Sequence, residues 1–277
     1  MPRLFNSVGV IGTGNLGESL IKMILRKSRI PSVICSVRTE DRKTNLINRI
    51  GPNITKSESS INFEFQNPII AQKSECLILS VKPGQIKEIC NEIKDFVPAT
   101  TPVISAAAAI SLTNLHNWLP TTKGIIRIMP GITCAIGQGI IPYTTRGDLQ
   151  DIYPMMMDIF APNTLLPLKT DAEIDAATLI AGCGPAFFAW FSTQLRNSVA
   201  RNLSDPDIAK MLAITMRGTG SLMETMRESD IITSVASKKG ATEAVLKALE
   251  NNTVDREISI ALNTAQRRIE AMAGIIH

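Results

Sequence analysis

Residues 8–17 read Val-Gly-Val-Ile-Gly-Thr-Gly-Asn-Leu-Gly, a short apolar run closing on three glycines in the spacing G-x-G-x-x-G. If a strand ends and a helix begins here, each glycine has its own task. Gly12 permits a tight turn, Gly14 lets the backbone approach a pyrophosphate, and Gly17 lets the helix lie close on the strand. The helix start adds unpaired amides and the positive end of its dipole. Gly12, Thr13, Gly14, Asn15, Leu16 and Gly17 are therefore the candidate cradle for a nicotinamide dinucleotide. An NAD site normally places an acid at the end of the second strand, but the sequence there is Ser36-Val37-Arg38-Thr39. Ser36, Arg38 and Thr39 suit a 2′-phosphate, which predicts NADPH and leaves NADH open. Glu40 and Asp41 follow at once, so Arg38 as a solvated helix-start residue is the competing reading. Another apolar run ends Val81-Lys82-Pro83, a turn stiffened by proline, where Lys82 faces a phosphate or only solvent. The two histidines, His116 and His277, read as structural and terminal, so no histidine–acid pair is legible.

The elements that must position these residues are readable in outline. Apolar segments at 7–11, 33–37, 76–81, 102–106, 125–129 and 138–143 alternate with amphipathic stretches near 15–27, 40–50, 86–94, 111–117 and 148–159. That is an α/β pattern: a Rossmann-type doubly wound, mostly parallel sheet over residues 1–167. Residues 51–75 are polar and suggest an extended surface insertion. After Pro167 strand-like runs nearly vanish, and 171–202, 205–228 and 241–274 read as long helices. The expectation is a second, all-α domain over 168–277 that dimerises, because apolar faces such as Met211, Leu212, Ile214 and Met216 exceed what so short a segment buries alone.

Composition excludes several classes. A net charge of +4 is spread along 277 residues of which only 4% are aromatic, so there is no nucleic-acid-binding patch. Five cysteines, at 35, 76, 90, 134 and 183, have no metal-ligand spacing and read as reduced thiols. Without a signal-like start or an unbroken apolar run of about 18 residues, the expectation is a cytoplasmic protein that meets neither membrane nor nucleic acid.

At this point the chain resembles the pyrroline-5-carboxylate reductases, NADPH-dependent enzymes that reduce a cyclic imine to proline. Val81-Lys82-Pro83 matches their strand-ending motif, Ser105-Ala106-Ala107-Ala108 their small-residue strand end beside the cofactor, and Arg127-Ile128-Met129-Pro130 the start of the next motif. Asp175-Ala176-Ala177-Thr178 and Gly182-Cys183-Gly184-Pro185-Ala186 resemble the helix with an internal Gly-x-Gly-Pro-Ala break, which is either a packing kink or part of the site. Ser237-Lys238-Lys239-Gly240-Ala241-Thr242 stands where the family has Ser-Pro-Gly-Gly-x-Thr, its substrate loop. The resemblance implies that Ser237, Gly240, Ala241 and Thr242 bind a small cyclic imino acid, with the Thr242 hydroxyl on the ring nitrogen. It also implies cofactor contacts from Asn67, Ala107 and Ala108, and a homodimer or an oligomer of dimers.

The chain departs from the family where the substrate would sit. Met-Pro-Asn-Thr-Pro becomes Met129-Pro130-Gly131-Ile132-Thr133, a glycine becomes Ala109, an acidic position holds Thr193, and proline and glycine become Lys238 and Lys239. Three readings stay open: reduction of 1-pyrroline-5-carboxylate to L-proline, reduction of a related cyclic imino acid, and a non-catalytic NADPH-binding homologue. A two-domain hydroxyacid dehydrogenase needs a lysine after the interdomain glycines, and Gly182 to Ala209 contains none.

Overall fold

The computed structural model describes residues 5–27, 30–54, 59–147, 149 and 151–275. Eight strands form one sheet: β1 (Ser7–Ile11), β2 (Ser32–Ser36), β3 (Ser60–Glu64), β4 (Cys76–Leu79), β5 (Pro102–Ser105), β6 (Gly124–Ile128), β7 (Ile140–Gly147) and β8 (Thr164–Pro167). Their order is β3-β2-β1-β4-β5-β6-β7-β8, parallel throughout except between β6 and β7. The order reverses between β1 and β4. In an open sheet that is the point where a crevice forms at the carboxyl ends of the strands.

The alternation of each strand divides the core in two. Val8, Val10, Val33 and Cys35 face α1 (Asn15–Lys27) and α2 (Glu40–Ile54), packing with Leu20, Ile24, Leu46 and Ile50. Ile11, Ile34, Leu77 and Leu79 face the other way, toward α3 (Asn67–Lys73), α4 (Ile86–Ile93) and α5 (Leu112–Trp118). A further helix, α6 (Ile152–Phe160), buries Met156, Ile159 and Phe160 in the first cluster.

The expected insertion at 51–75 is corrected. Its described part contains the end of α2, the strand β3 and the helix α3. β3 is the sheet edge: Ile61 and Phe63 are partly buried against the core while Ser60 and Asn62 are exposed, so half its residues read as loop. Strand β8 was likewise not expected, being four residues long at the other edge.

The helical stretch after the sheet begins with α7 (Asp171–Ala177), passes through a π-helical turn at Thr178–Gly182, and continues as α8 (Gly184–Val199). A capping box, Thr170 with Glu173, starts α7. What fixes α7 is Arg127, 1% exposed on β6. Its Nη1 donates to Asp171 at 2.5 Å and its Nη2 to Asp175 at 2.7 Å. Asp171 also accepts the Leu112 amide at the start of α5. Contacts accordingly divide the chain into Met1–Pro185 with Gln266–His277, and Ala186–Ala265. The boundary drawn at 167/168 from the loss of strand pattern falls earlier than this one, because residues 168–185 are helical yet bound to the sheet.

The second unit holds most of α8, then α9 (Asp205–Met223), α10 (Glu228–Val235), α11 (Ala241–Asn251) and the first part of α12 (Val254–Ile275). The helices expected at 205–228 and 241–274 are each broken, the second at Thr253, whose φ is +52°. Phe187, Phe188, Trp190, Phe191, Met211 and Ile214 are all exposed. The stretch Asp171–Val199 is also long and apolar enough to cross a membrane, by length and composition alone. No unbroken apolar run signalled this, since residues such as Ser192 and Gln194 interrupt it.

Removing the guanidinium strands two carboxylates that retain partial access to water. We expect Arg127→Met to lower stability by about 2–3 kcal/mol, below the roughly 3–5 of a fully buried pair. Urea denaturation measures this, and a change under about 1 kcal/mol would mean that the cluster does not hold α7.

Candidate functional site

The carboxyl end of β1 is built around two close backbone approaches and one opening. Gly12 has φ +99°, and a Cβ there would stand 2.7 Å from the Ser80 carbonyl carbon. The Ser80 amide donates to the Ile11 carbonyl at 2.8 Å and its hydroxyl to the Gly12 carbonyl at 2.6 Å, so the ends of β1 and β4 are tied. A Cβ at Gly17 would lie 1.9 Å from the Gly12 oxygen. At Gly14 nothing stands within 4 Å of that position. The Gly14 carbonyl accepts the Glu18 amide, so Gly14 caps α1 and the amides of Asn15, Leu16 and Gly17 have no intrahelical partner. Two glycines are thus demanded by packing, and the third opens a space walled by helix-start donors. A pyrophosphate fits that cradle.

Of the adenosine-side candidates, Thr13 and Ser36 are used to set the turn. The Thr13 hydroxyl donates to the Ser36 carbonyl at 2.9 Å, and Ser36 Oγ accepts the Gly12 amide at 3.4 Å. Thr39 Oγ1 caps α2 by accepting the Arg42 amide at 3.2 Å. Arg38 is exposed between them, and among the described residues no carboxylate pairs with it. The Val37 amide bonds the Glu64 carbonyl, which sets the end of β3 beside this segment. Asn67 opens α3 and donates to Glu92 on α4 at 2.9 Å, so its side chain links those two helices.

Around the crevice, Val81 and Pro83 are half-buried and Lys82 is exposed at the start of a 3₁₀ turn, Pro83–Gln85. After β5, Ala107 is buried and Ala108 partly so. Ala109 has φ +60°, a left-handed conformation on a residue with a Cβ. Sequence reasoning passed over Ser80, a polar residue closing an apolar strand, and Asp171, which ends up bonded to the α5 start. The first carried a weak signal in its position; the second carried none.

In the helical unit, residues 237–240 form a turn closed by the Gly240 amide on the Ser237 carbonyl at 2.9 Å. Gly240 precedes α11 without a side-chain cap, and a Cβ on it would lie 2.4 Å from Ser237 Oγ. Gly240 accepts the Ala244 amide, which leaves Ala241, Thr242 and Glu243 as the first-turn donors. Glu243 Oε2 accepts the Lys239 amide at 2.5 Å and Oε1 the Lys247 ammonium at 2.9 Å. These two bonds, Lys247 first, hold the Glu243 carboxyl below its ordinary pKa. Among the described hydrogen bonds the Thr242 hydroxyl makes none. Lys239 has φ +61°.

Comparison with known proteins joins the two ends of the chain. Residues 171–272 match the family model described as pyrroline-5-carboxylate reductase dimerisation, and residues 7–109 the one described as NADP oxidoreductase, coenzyme F420-dependent. The pyrroline-5-carboxylate reductase of Aquifex aeolicus is 23% identical over 270 residues, covering 96% of this chain and 97% of that one. That of Corynebacterium melassecola is 28% identical, covering 89% and 91%. Over nearly its whole length the chain is similar to pyrroline-5-carboxylate reductases, and residues 171–272 match the model of their dimerisation domain. A solved Plasmodium falciparum pyrroline carboxylate reductase with NADP bound shares the fold, with TM-score 0.82 at 21% identity over 96% of this chain and 98% of that one. The Streptococcus pyogenes enzyme gives 0.79 at 21% identity over the same shares.

The departures from the reductase pattern acquire local reasons. A Cβ at Gly131 would stand 2.1 Å from the Ala181 carbonyl oxygen in the π turn, so a larger residue requires that turn to move. Thr193 turns its hydroxyl onto the Ala189 carbonyl within α8. Ala109 and Lys239, which stand where the resemblance puts glycines, have a left-handed backbone.

Two substitutions separate packing from opening. Gly17→Ala is expected to lose about 1–3 kcal/mol of stability by overpacking, while Gly14→Ala stays within about 0.5 kcal/mol of the parent. Equal urea midpoints for the two would contradict the assignment. Ala109→Gly relieves a left-handed penalty of about 1–2 kcal/mol but adds a glycine entropy cost of about 0.5–1 and removes a buried methyl worth about 0.8, so a net change within about 0.5 kcal/mol of zero is expected in the same assay.

Proposed function

We propose that this protein reduces 1-pyrroline-5-carboxylate to L-proline with NADPH. What carries the reading is that one chain holds both an open dinucleotide cradle at Gly14 and a 237–242 loop with free first-turn amides beside an unengaged Thr242 hydroxyl. When bound, the nicotinamide supplies a hydride to the C=N carbon. Gly12, Gly14 and Gly17 with the α1 amides hold the pyrophosphate, Arg38 and Thr39 take the 2′-phosphate, and Val81, Lys82, Pro83, Asn67, Ala107 and Ala108 border the rest of the cofactor. Thr13 and Ser36 act by setting the turn.

At the substrate end the amides of Ala241, Thr242 and Glu243 receive the carboxylate, with Ser237 and Gly240 shaping the turn that presents them. The Thr242 hydroxyl hydrogen-bonds the ring nitrogen as it gains its electron pair and proton. A protonated imine is already electrophilic, so position and polarisation suffice and no histidine–acid pair is needed. The exposed aromatic and methionine faces of the helical unit support a homodimer through these helices. Its free cysteines suit the cytoplasm. Burial pushes the Cys90 thiol to about 12 and Cys134 to about 11, which leaves both unreactive.

Purified protein with NADPH and 1-pyrroline-5-carboxylate is expected to consume the cofactor and yield proline. Binding of NADPH without turnover on any cyclic imine would favour the non-catalytic homologue instead. Thr242→Val should lower kcat/KM about tenfold, the value of one hydrogen bond to a charged group, with Thr242→Ser recovering most of it. Arg38→Ala should raise KM for NADPH about tenfold and leave NADH unchanged. Light scattering should give a dimer at micromolar concentration; a stable monomer would refute the assembly.

A further inference from the structure

The two acids on α7 share one cation but differ in what else they hold. Arg127, buried on β6, donates to both Asp171 and Asp175, and each carboxylate keeps partial access to water. Among the described residues the Asp175 carboxylate bonds Arg127 alone. Asp171 also accepts the Leu112 amide, its two oxygens lying 3.2 and 3.1 Å away. Leu112 opens α5, whose cap is Ser111 accepting the Asn114 amide. The segment just before that cap, residues 106–110, reads Ala-Ala-Ala-Ala-Ile and carries no polar side chain. Its path is therefore set by packing and by the ties at either end. One tie is the Ala106 amide on the Leu79 carbonyl at 2.9 Å, and the other is Asp171 on Leu112. Ser105, which leads into the segment, is the register partner of both Leu79 and Arg127, so the cluster lies one row beneath it in the sheet.

We infer that Asp171 is a positioning residue for hydride transfer: through the Leu112 amide it holds the 106–110 segment as a wall of the crevice's nicotinamide end. This rests on the cofactor placement and the reaction proposed above. With the 2′-phosphate at the end of β2 and the pyrophosphate at β1, the other half of the dinucleotide extends along the strand order toward β4 and β5. The ends of those strands lead into Val81–Pro83 and Ala107–Ala108. Asp171 acts through backbone, not by contact with the reacting atoms. Reacting carbons must come within about 3–3.5 Å of each other, and a displacement of about 1 Å can cost a hundredfold in rate, so the wall tolerates little drift. A cluster that only stabilises the fold makes a different demand. In that case the two acids, each giving Arg127 one bond, matter equally and only to stability.

The pair of acids supplies the test, because Asp171→Ala and Asp175→Ala each leave Arg127 with one carboxylate. Both should lower the urea midpoint to a similar extent. With saturating NADPH and 1-pyrroline-5-carboxylate, single-turnover oxidation of NADPH by the full-length protein should slow about tenfold in Asp171→Ala and stay within about twofold of the parent in Asp175→Ala. NADPH deuterated at C4 identifies the step being read as hydride transfer. Asp171→Asn keeps an acceptor oxygen for the Leu112 amide and should recover most of the rate. Calorimetry without turnover compares NADPH with 2′-phospho-ADP-ribose, which lacks the nicotinamide ring. Asp171→Ala should weaken NADPH about fivefold and leave the fragment within about twofold, while Asp175→Ala leaves the ratio of the two affinities unchanged. Equal rate losses in the two alanine variants, no loss in Asp171→Ala, or a parallel fall in NADPH and fragment affinity overturns the assignment. A parent that binds NADPH and reduces no cyclic imine removes the reductase reading instead, and the affinity ratio still decides whether Asp171 holds that wall.

Discussion

No side chain fits between the Gly12 carbonyl and the Cα of Gly17, and much of the cofactor end follows from that. With a hypothetical Cβ only 1.9 Å from the oxygen, α1 can lie this close on the β1 turn only if residue 17 is glycine. The approach brings the start of α1 over the sheet's carboxyl edge. Ser80 closes the arrangement from β4 by bonding the same Gly12 carbonyl, so the strand neighbours at the topological reversal are tied to each other and to the helix. The amides of Asn15 to Gly17 are left pointing where phosphate oxygens can reach them.

Much of this was legible because the constraint is local. A glycine triplet following an apolar run states its own geometry, and the strands of the sheet centre are continuous apolar segments. Legibility failed where burial is halved. β3 shows water one face, so Ile61 and Phe63 lie among polar residues and the edge strand read as an insertion. It failed again where a contact joins distant positions. Nothing in Arg127 names Asp171 and Asp175 as its partners, yet that cluster binds a helical segment to the sheet and shifts the boundary between units to Pro185.

The departures from the reductase pattern fall into two physical kinds. Gly131 is dictated by the close Ala181 carbonyl, and that carbonyl belongs to a π turn whose Cys183 amide reaches back to Thr178. Loop and turn therefore change together, because a side chain restored at 131 collides with backbone and not with a movable side chain. Ala109 and Lys239 are the reverse case. There the backbone demands a glycine-like φ while the residue is something else, and about 1–2 kcal/mol of conformational penalty is tolerated at each.

That contrast separates what is architectural from what is chosen. At Ala109 the added group is a buried methyl, whose packing offsets part of its own strain. At Lys239 the side chain is exposed and buries little, so packing does not compensate the φ of +61°. A charged, uncompensated residue held in a strained conformation beside helix-start donors has no structural benefit in view. Among the described residues no contact explains it, whereas the Gly12–Gly17 end, where backbone approaches leave no room for a side chain, is fixed by packing.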